Sequence, residues 1–225
     1  MNTLPTQSAH VDEFNHDPWA DDYDEDVRNE ADPIRAGYSA VLDWVVAQAQ
    51  IQAADIVVDL GMGTGNTAQR IPHAKELIGV DISTKMMAQA APKVAHLSNV
   101  RYVAADLLGF FAQPRSFDAL ISTYAIHHLT EPEKEQLFNA IYQSLTVGRR
   151  AVFGDLMFAN QDAAVELRRQ YQTRGDMEMI EIFDEEFFWY VDHVTTALQQ
   201  SGFQLIAVNQ FSELSWGIAV EKRAN

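Results

Sequence analysis

Five short, almost uninterrupted apolar runs punctuate the chain: DIVVDL (55–60), LIGVDI (77–82), VRYVAAD (100–106), FDALIST (117–123) and RAVFGDL (150–156). Runs of this length without polar alternation predict strands covered on both faces. Helical spacing of apolar residues lies between them, over 67–70, 83–95 and 131–145. The last of these opens on TEPE, where Thr130 and Glu133 make a capping-box pattern. Upstream, ADPIRAGYSAVLDWVVAQAQ predicts a helix with Asp32 as N-cap, Pro33 in the first position, and Ile34, Tyr38, Val41, Leu42, Val45 and Val46 on one face. Strands alternating with helices build a mainly parallel sheet with helices on both sides.

After Phe158 the rhythm changes. Residues 160–202 read as helical with a break at Gly175, and only the second part carries a strongly apolar face. FQLIAVN and LSWGIAVEK, joined by QFSE, then read as a hairpin. The expected fold is therefore α/β: a Rossmann-like, doubly wound, seven-stranded sheet, mainly parallel, closed by a C-terminal antiparallel hairpin. Residues 1–31 stand apart as an acidic segment with isolated aromatics Phe14, Trp19 and Tyr23. Its composition suits a solvated tail, yet Trp19 and Tyr23 are four apart, the spacing that puts two rings on one side of a helical turn. The expectation is an acidic N-terminal lid or tail over 1–31, followed by one domain over 32–225.

Composition narrows the partners. At 225 residues and 47% hydrophobic content the chain can bury a full core. Its net charge of −16 repels polyanions, and the densest basic groups are only ELRRQYQTR and GRR, so nucleic acid is not an expected partner. Cysteine is absent, which excludes disulfides, thiolate metal sites, Cys-ligated clusters and cysteine nucleophiles. The opening MNTLPTQSAH lacks a basic region followed by an apolar run, and no apolar segment has the length of a membrane span. A cytoplasmic protein without a membrane partner is the expectation; monomer and homodimer both stay open.

The candidate chemistry starts at GMGTG, glycines 61, 63 and 65 directly after the first strand. Such a turn brings backbone close to a ligand and presents free N–H groups. The dinucleotide fingerprint places its third glycine three positions after the second; here it comes two after. Three aspartates end successive strands: Asp59, Asp81 and Asp106. Asp81 lies about 20 residues after the turn, where a carboxylate accepts both ribose hydroxyls. Asp106 is placed to accept from an exocyclic amine, with Leu107 as an apolar wall. Asp59 would repel a pyrophosphate and suits a ligand with a cationic end.

These residues resemble the motifs of class I S-adenosylmethionine-dependent methyltransferases: VVDLGMGTGN the first, LIGVDIS the second, VAADLLGF the third, and FDALISTYAIHHL the strand and turn that follow. PWADDYD, STYAIHHLTEPEK and FGDLMF further resemble a bacterial group of small-molecule methyltransferases related to YrrT. The resemblance implies S-adenosyl-L-methionine as cofactor and a small-molecule methyl acceptor, with residues 159–186 as a helical cap over the acceptor. It implies that Gly61 and Gly63 lie against the methionyl part, Asp81 holds the ribose, Asp106 and Leu107 meet the adenine, and Thr123 approaches the amino group by its backbone, with Ile82 also among the cofactor-binding residues. Asp59 and Tyr23 complete the cofactor set.

Methyl transfer is an in-line displacement that asks for alignment, exclusion of water and sometimes removal of a proton. The candidates are Tyr124, His127 and Asp155; the HHL pair serves either as a base or as a loop-orienting element. Two adjacent histidines are too few for a metal site, so no metal is expected. The fourth motif, STYAIHH, lacks the Asn/Asp-Pro-Pro-aromatic pattern of base-nitrogen methylation. The alternatives are a nicotinamide-dependent oxidoreductase, an RNA-modifying methyltransferase and a non-catalytic S-adenosylmethionine-binding protein.

Overall fold

The computed structural model describes residues 8–10, 17 and 20–224. Phe14 and Trp19, two of the aromatics offered for docking, lie outside them.

Strand β1 (Ile56–Leu60) pairs in parallel with β2 (Glu76–Asp81) on one side and β4 (Phe117–Thr123) on the other, so that Val57 lies opposite both Leu77 and Ala119. Outside β2 runs β3 (Val100–Ala104), and outside β4 runs β5 (Leu145–Phe158). An antiparallel hairpin of β7 (Gln204–Gln210) and β8 (Ser215–Glu221) completes the order β3-β2-β1-β4-β5-β8-β7. The chain thus walks outward from β1 to β3 and returns to the far side of β1. Loops leaving β1 and β4 diverge there, and the crevice at their carboxyl ends is where open α/β sheets receive ligands. One strand was unexpected: Trp189–Tyr190, β6, pairs with the end of β5. Two residues are too few to leave a periodicity in the sequence.

The strands alternate between two apolar layers, as a pleat with period two requires. Val57, Leu77, Ile121 and Val152 gather with Val41, Leu42 and Val45 of α2 (Tyr38–Ala49). Val58, Val80, Leu120 and Phe153 gather with Leu137, Phe138 and Ile141 of α4 (Glu131–Ser144) and with Leu198 of α7 (Val191–Gln200). Helix α3 (Thr84–Lys93) starts on Ser83, whose Oγ accepts the Met86 N–H at 3.0 Å. Helix α4 starts on the expected capping box of Thr130 and Glu133.

Two helix readings need correction. The helix expected from Asp32 begins only at Tyr38, because Gly37 before it is left-handed (φ 79°) and residues 32–37 fold as turns, Asp32 Oδ1 accepting the Ile34 N–H at 3.1 Å. Residues 67–70 form a single 3-10 turn over Ala68–Arg70. Beyond β5, α5 (Gln161–Arg174) and α6 (Met177–Glu185) are separated at Gly175, as expected. At the other end of the chain, a one-turn helix, α1 (Tyr23–Asp26), packs beside the crevice.

Helix α2 lies on the sheet over a slot made by Gly154 of β5 and Gly217 of β8, which face each other across the ladder. A Cβ on Gly154 would run into Val41 and Val45; one on Gly217 would meet the Trp44 ring at 2.5 Å. Gly154→Ala is therefore expected to cost about 1–3 kcal/mol through overpacking. In a chain of this size that lowers Tm by roughly 2–4 °C per kcal/mol, measurable by differential scanning calorimetry.

Candidate active site

The turn after β1 is held by its neighbours. Gly61 and Met62 donate their N–H groups to Val80 O at 2.9 and 2.8 Å. Gly61 has φ 78°, and a Cβ on it would collide with Ala125, so the β1 and β4 turns touch at this point. Asp81 Oδ2 accepts the Gly63 N–H at 2.7 Å and its Oδ1 the Ser83 N–H at 2.8 Å. Burial raises the Asp81 pKa, and those two N–H groups counter part of the rise.

A cavity opens along this edge, with about 210 Å3 of space for the centres of water-sized molecules. In the order of the strands it meets Asp106 and Leu107, Asp81 and Ile82, Gly61 and Gly63, then Thr123, Tyr124 and His127. Tyr23 of α1 joins them. The sequence-expected residues thus converge on one space, except Asp59 and Asp155.

Asp59 sits in β1, 1% exposed, on the same face as Val57, and does not line the cavity. Neither of its carboxylate oxygens has a hydrogen-bond partner among the described residues. Burial, with the Asp81 charge adding to it, pushes its pKa up to about 8, so its proton is retained at neutral pH. Asp106 does cap its neighbours, its Oδ1 accepting from Leu108 and Gly109 at 3.1 and 3.2 Å and also from Ser8 at 3.1 Å. The Thr123 hydroxyl pairs with that of Thr67 at 2.6 Å.

Asp155 also sits behind the wall. Its Oδ2 accepts the N–H groups of Ile126 (2.9 Å) and His127 (3.3 Å), while Oδ1 accepts from Leu156 N–H (2.8 Å) and bonds His127 Nδ1 at 2.5 Å. It fixes the turn after β4 and the tilt of the imidazole. Burial alone would favour neutral forms of both groups, but each charge overrides it on the other, raising the His127 pKa and lowering that of Asp155.

Tyr124 takes the left-handed conformation (φ 49°), rare for a bulky residue and a source of strain. Three contacts hold it there: its N–H to Gly154 O at 2.8 Å, its hydroxyl to Ser215 Oγ at 3.1 Å, and its ring stacked on Tyr38 with centroids 5.1 Å apart. Ser215 Oγ in turn donates to Ala36 O at 2.8 Å. Tyr124 therefore presents a ring to the cavity, and burial pushes its hydroxyl pKa upward.

Helix α1 is fastened over the glycine turn. Asp24 Oδ1 accepts from Thr64 Oγ1 (2.6 Å) and Asn66 Nδ2 (3.0 Å), and Oδ2 pairs with Lys93 at 2.5 Å. The Arg35 guanidinium lies 5.7 Å from the Tyr23 ring centre and pairs with Asp26 at 2.7 Å.

Sequence reasoning missed Arg35, Tyr38, Thr67, Ile182 and Glu186 among the lining residues. Glu186 closes an acidic run that reads as a solvated helix face, and it arrives here only because the Phe187 N–H bonds His127 O at 3.0 Å. Its Oε2 stands 3.0 Å from His128 Nδ1 and 4.0 Å from His127 Nε2.

Residues 57–148 match a family model described as a methyltransferase domain. An uncharacterized methyltransferase of Geobacillus sp. (strain WCH70) is 29% identical over 209 residues, 91% of this chain and 95% of that one. A second, from Oceanobacillus iheyensis, is 29% identical over 210 residues, 92% of this chain and 95% of its own. The fold is that of the N-methyltransferase NodS from Bradyrhizobium japonicum, solved in complex with S-adenosyl-L-homocysteine: TM-score 0.62, 16% identity, 99% of each chain covered. Residues 57–148 thus form a methyltransferase domain, and with the motif set of its strand ends the cofactor is S-adenosyl-L-methionine.

The state of Asp59 sets a pH dependence. Its pKa rises from near 3.9 in the unfolded chain to about 8 in the fold, so between these values the folded protein holds a proton that the unfolded one lacks. Stability of the ligand-free protein is expected to fall as pH rises from about 4 to 8. Asp59→Asn removes that slope: measured by thermal shift, its Tm should gain on the native value as pH goes from 5 to 8.5.

Proposed function

We propose that the protein transfers a methyl group from S-adenosyl-L-methionine to a small-molecule acceptor seated against His127. The observation that carries this reading is the placement of His127: on the same cavity wall as the glycine turn and Asp81, with its imidazole oriented from behind by Asp155.

In this reading Asp81 takes the ribose hydroxyls, Asp106, Leu107 and Ile82 receive the adenine, and Gly61 and Gly63 back the methionyl chain. Arg35, a guanidinium at the wall, suits the carboxylate of the amino-acid tail. Tyr23 and the described residues 20–31 act as a lid, and 159–186 as a cap, with Tyr23, Ile182 and Glu186 on the cavity lining. The net charge of −16 supports a small neutral or cationic acceptor over RNA.

With ligand placed this way, the chemistry asks little beyond alignment: the acceptor's lone pair, the methyl carbon and the sulfonium sulfur in line, and water kept out. His127, on the cavity wall with its Nδ1 held by Asp155, is the group we assign to the acceptor's reacting atom.

Two measurements test the halves separately. Asp81→Asn is expected to weaken S-adenosylhomocysteine binding by about 10–100-fold in calorimetric titration, the loss of charged hydrogen bonds to the ribose; unchanged affinity overturns the cofactor assignment. His127→Ala should leave that affinity intact and lower kcat/KM by roughly 10²-fold or more on the acceptor found by screening a metabolite panel for release of demethylated cofactor. Turnover confined to RNA would overturn the small-molecule reading.

A further inference from the structure

His127 and His128 are adjacent, and neighbours on a regular helix point about 100° apart. Here the 3-10 turn Ile126–His128, pulled tight by Asp155 bonds to two of its N–H groups, brings both rings to one side with centroids 4.1 Å apart. Glu186 reaches the same spot from the strap after α6. One donor atom from each of the three lies within 4.8 Å of the other two, the only such trio among the described residues. All three line the cavity.

Two nitrogens and a carboxylate oxygen are a donor set for a transition ion, zinc above all, and unlike the all-oxygen shells of calcium and magnesium. Ligand atoms on one tetrahedral zinc stand about 3.4 Å apart with bonds of ~2.1 Å, so shifts of ångström size or less would gather the three. The support around them is also that of a metal centre. Asp155 holds His127 Nδ1 and leaves Nε2 to face Glu186, the carboxylate–histidine arrangement that orients an imidazole ligand. Glu186 is fixed in place by the Phe187 N–H bond to His127 O and by Lys134, whose Nζ bonds Phe187 O at 2.5 Å. The Lys134 charge opposes a cation, but it is paired with Glu131 at 3.0 Å, and Asp155 and Glu186 add two carboxylates near the histidines.

We propose that His127, His128 and Glu186 bind a divalent transition-metal ion, zinc by donor type, whose open fourth position takes the heteroatom of the methyl acceptor, a thiol or a hydroxyl compound. The second half rests on the function proposed above; the first does not. On coordination the acceptor X–H gives its proton to solvent. The X lone pair then forms the X–CH3 bond as the CH3–S bond of the sulfonium breaks, its electron pair returning to sulfur and leaving a neutral thioether.

The test uses the full chain, stripped with a chelator and titrated with zinc against a chromophoric competitor. One zinc per chain is expected. Glu186→Gln and His128→Gln should each raise the zinc Kd at least about tenfold, and Asp155→Asn by about 10–100-fold. S-adenosylhomocysteine binding at native affinity verifies that each variant is folded. A stoichiometry well below one, or an affinity that neither Glu186→Gln nor His128→Gln changes, overturns the metal site. For the acceptor, cobalt replaces zinc and the visible spectrum is followed as the acceptor from the screen is added. A shifted spectrum supports coordination; an unshifted one, together with the same KM for stripped and zinc-loaded enzyme, overturns it. Failure of S-adenosylhomocysteine to bind the native chain would remove the cofactor reading and leave the zinc result standing.

Discussion

The Asp155 carboxylate is the point on which the turn after β4 is hung. It is 1% exposed and satisfied on both oxygens by the backbone of residues 126 and 127, by Leu156 N–H and by the His127 ring. A buried carboxylate is costly unless it is so compensated, and here the compensation is the site itself. Without it the turn after β4 has no partner for its N–H groups and His127 no fixed tilt. Because Asp155 lies within a central strand, next to Gly154 in the ladder between β4 and β5, the position of the imidazole is inherited from that ladder.

The same economy governs the cofactor edge. Asp81 does not wait for a ligand: its oxygens organise the glycine turn and the start of α3 through Gly63 and Ser83. Asp59 is the opposite case, a buried carboxyl whose oxygens have no hydrogen-bond partner among the described residues, and the fold bears the cost by keeping it protonated.

The strands, their order of use and the glycine turn were legible because each signal is local. Uninterrupted apolar runs, the Thr130–Glu133 box and the Gly175 break all act within a few residues, and they landed where expected. The start of α2 was not legible, since the left-handed Gly37 outweighs the Asp32-Pro33 signal. Asp59 and Asp155 were expected at the cavity and lie behind its wall, because sequence does not reveal which way a side chain near a strand end turns. Glu186 was the clearest miss. It belongs to an acidic run, and only long-range bonds from Phe187 and Lys134 bring it to the histidines.

Tyr124 ties the site to the assembly of the whole molecule. Its strained backbone is held by Tyr38, Gly154 and Ser215, which lie 86, 30 and 91 positions away along the chain, and Ser215 reaches on to Ala36 across 179. None of these partners is available until α2, β5 and the C-terminal hairpin have met. The turn after β4 therefore keeps its native shape only while those three distant segments stay in place, so damage to any one of them is felt at the cavity wall.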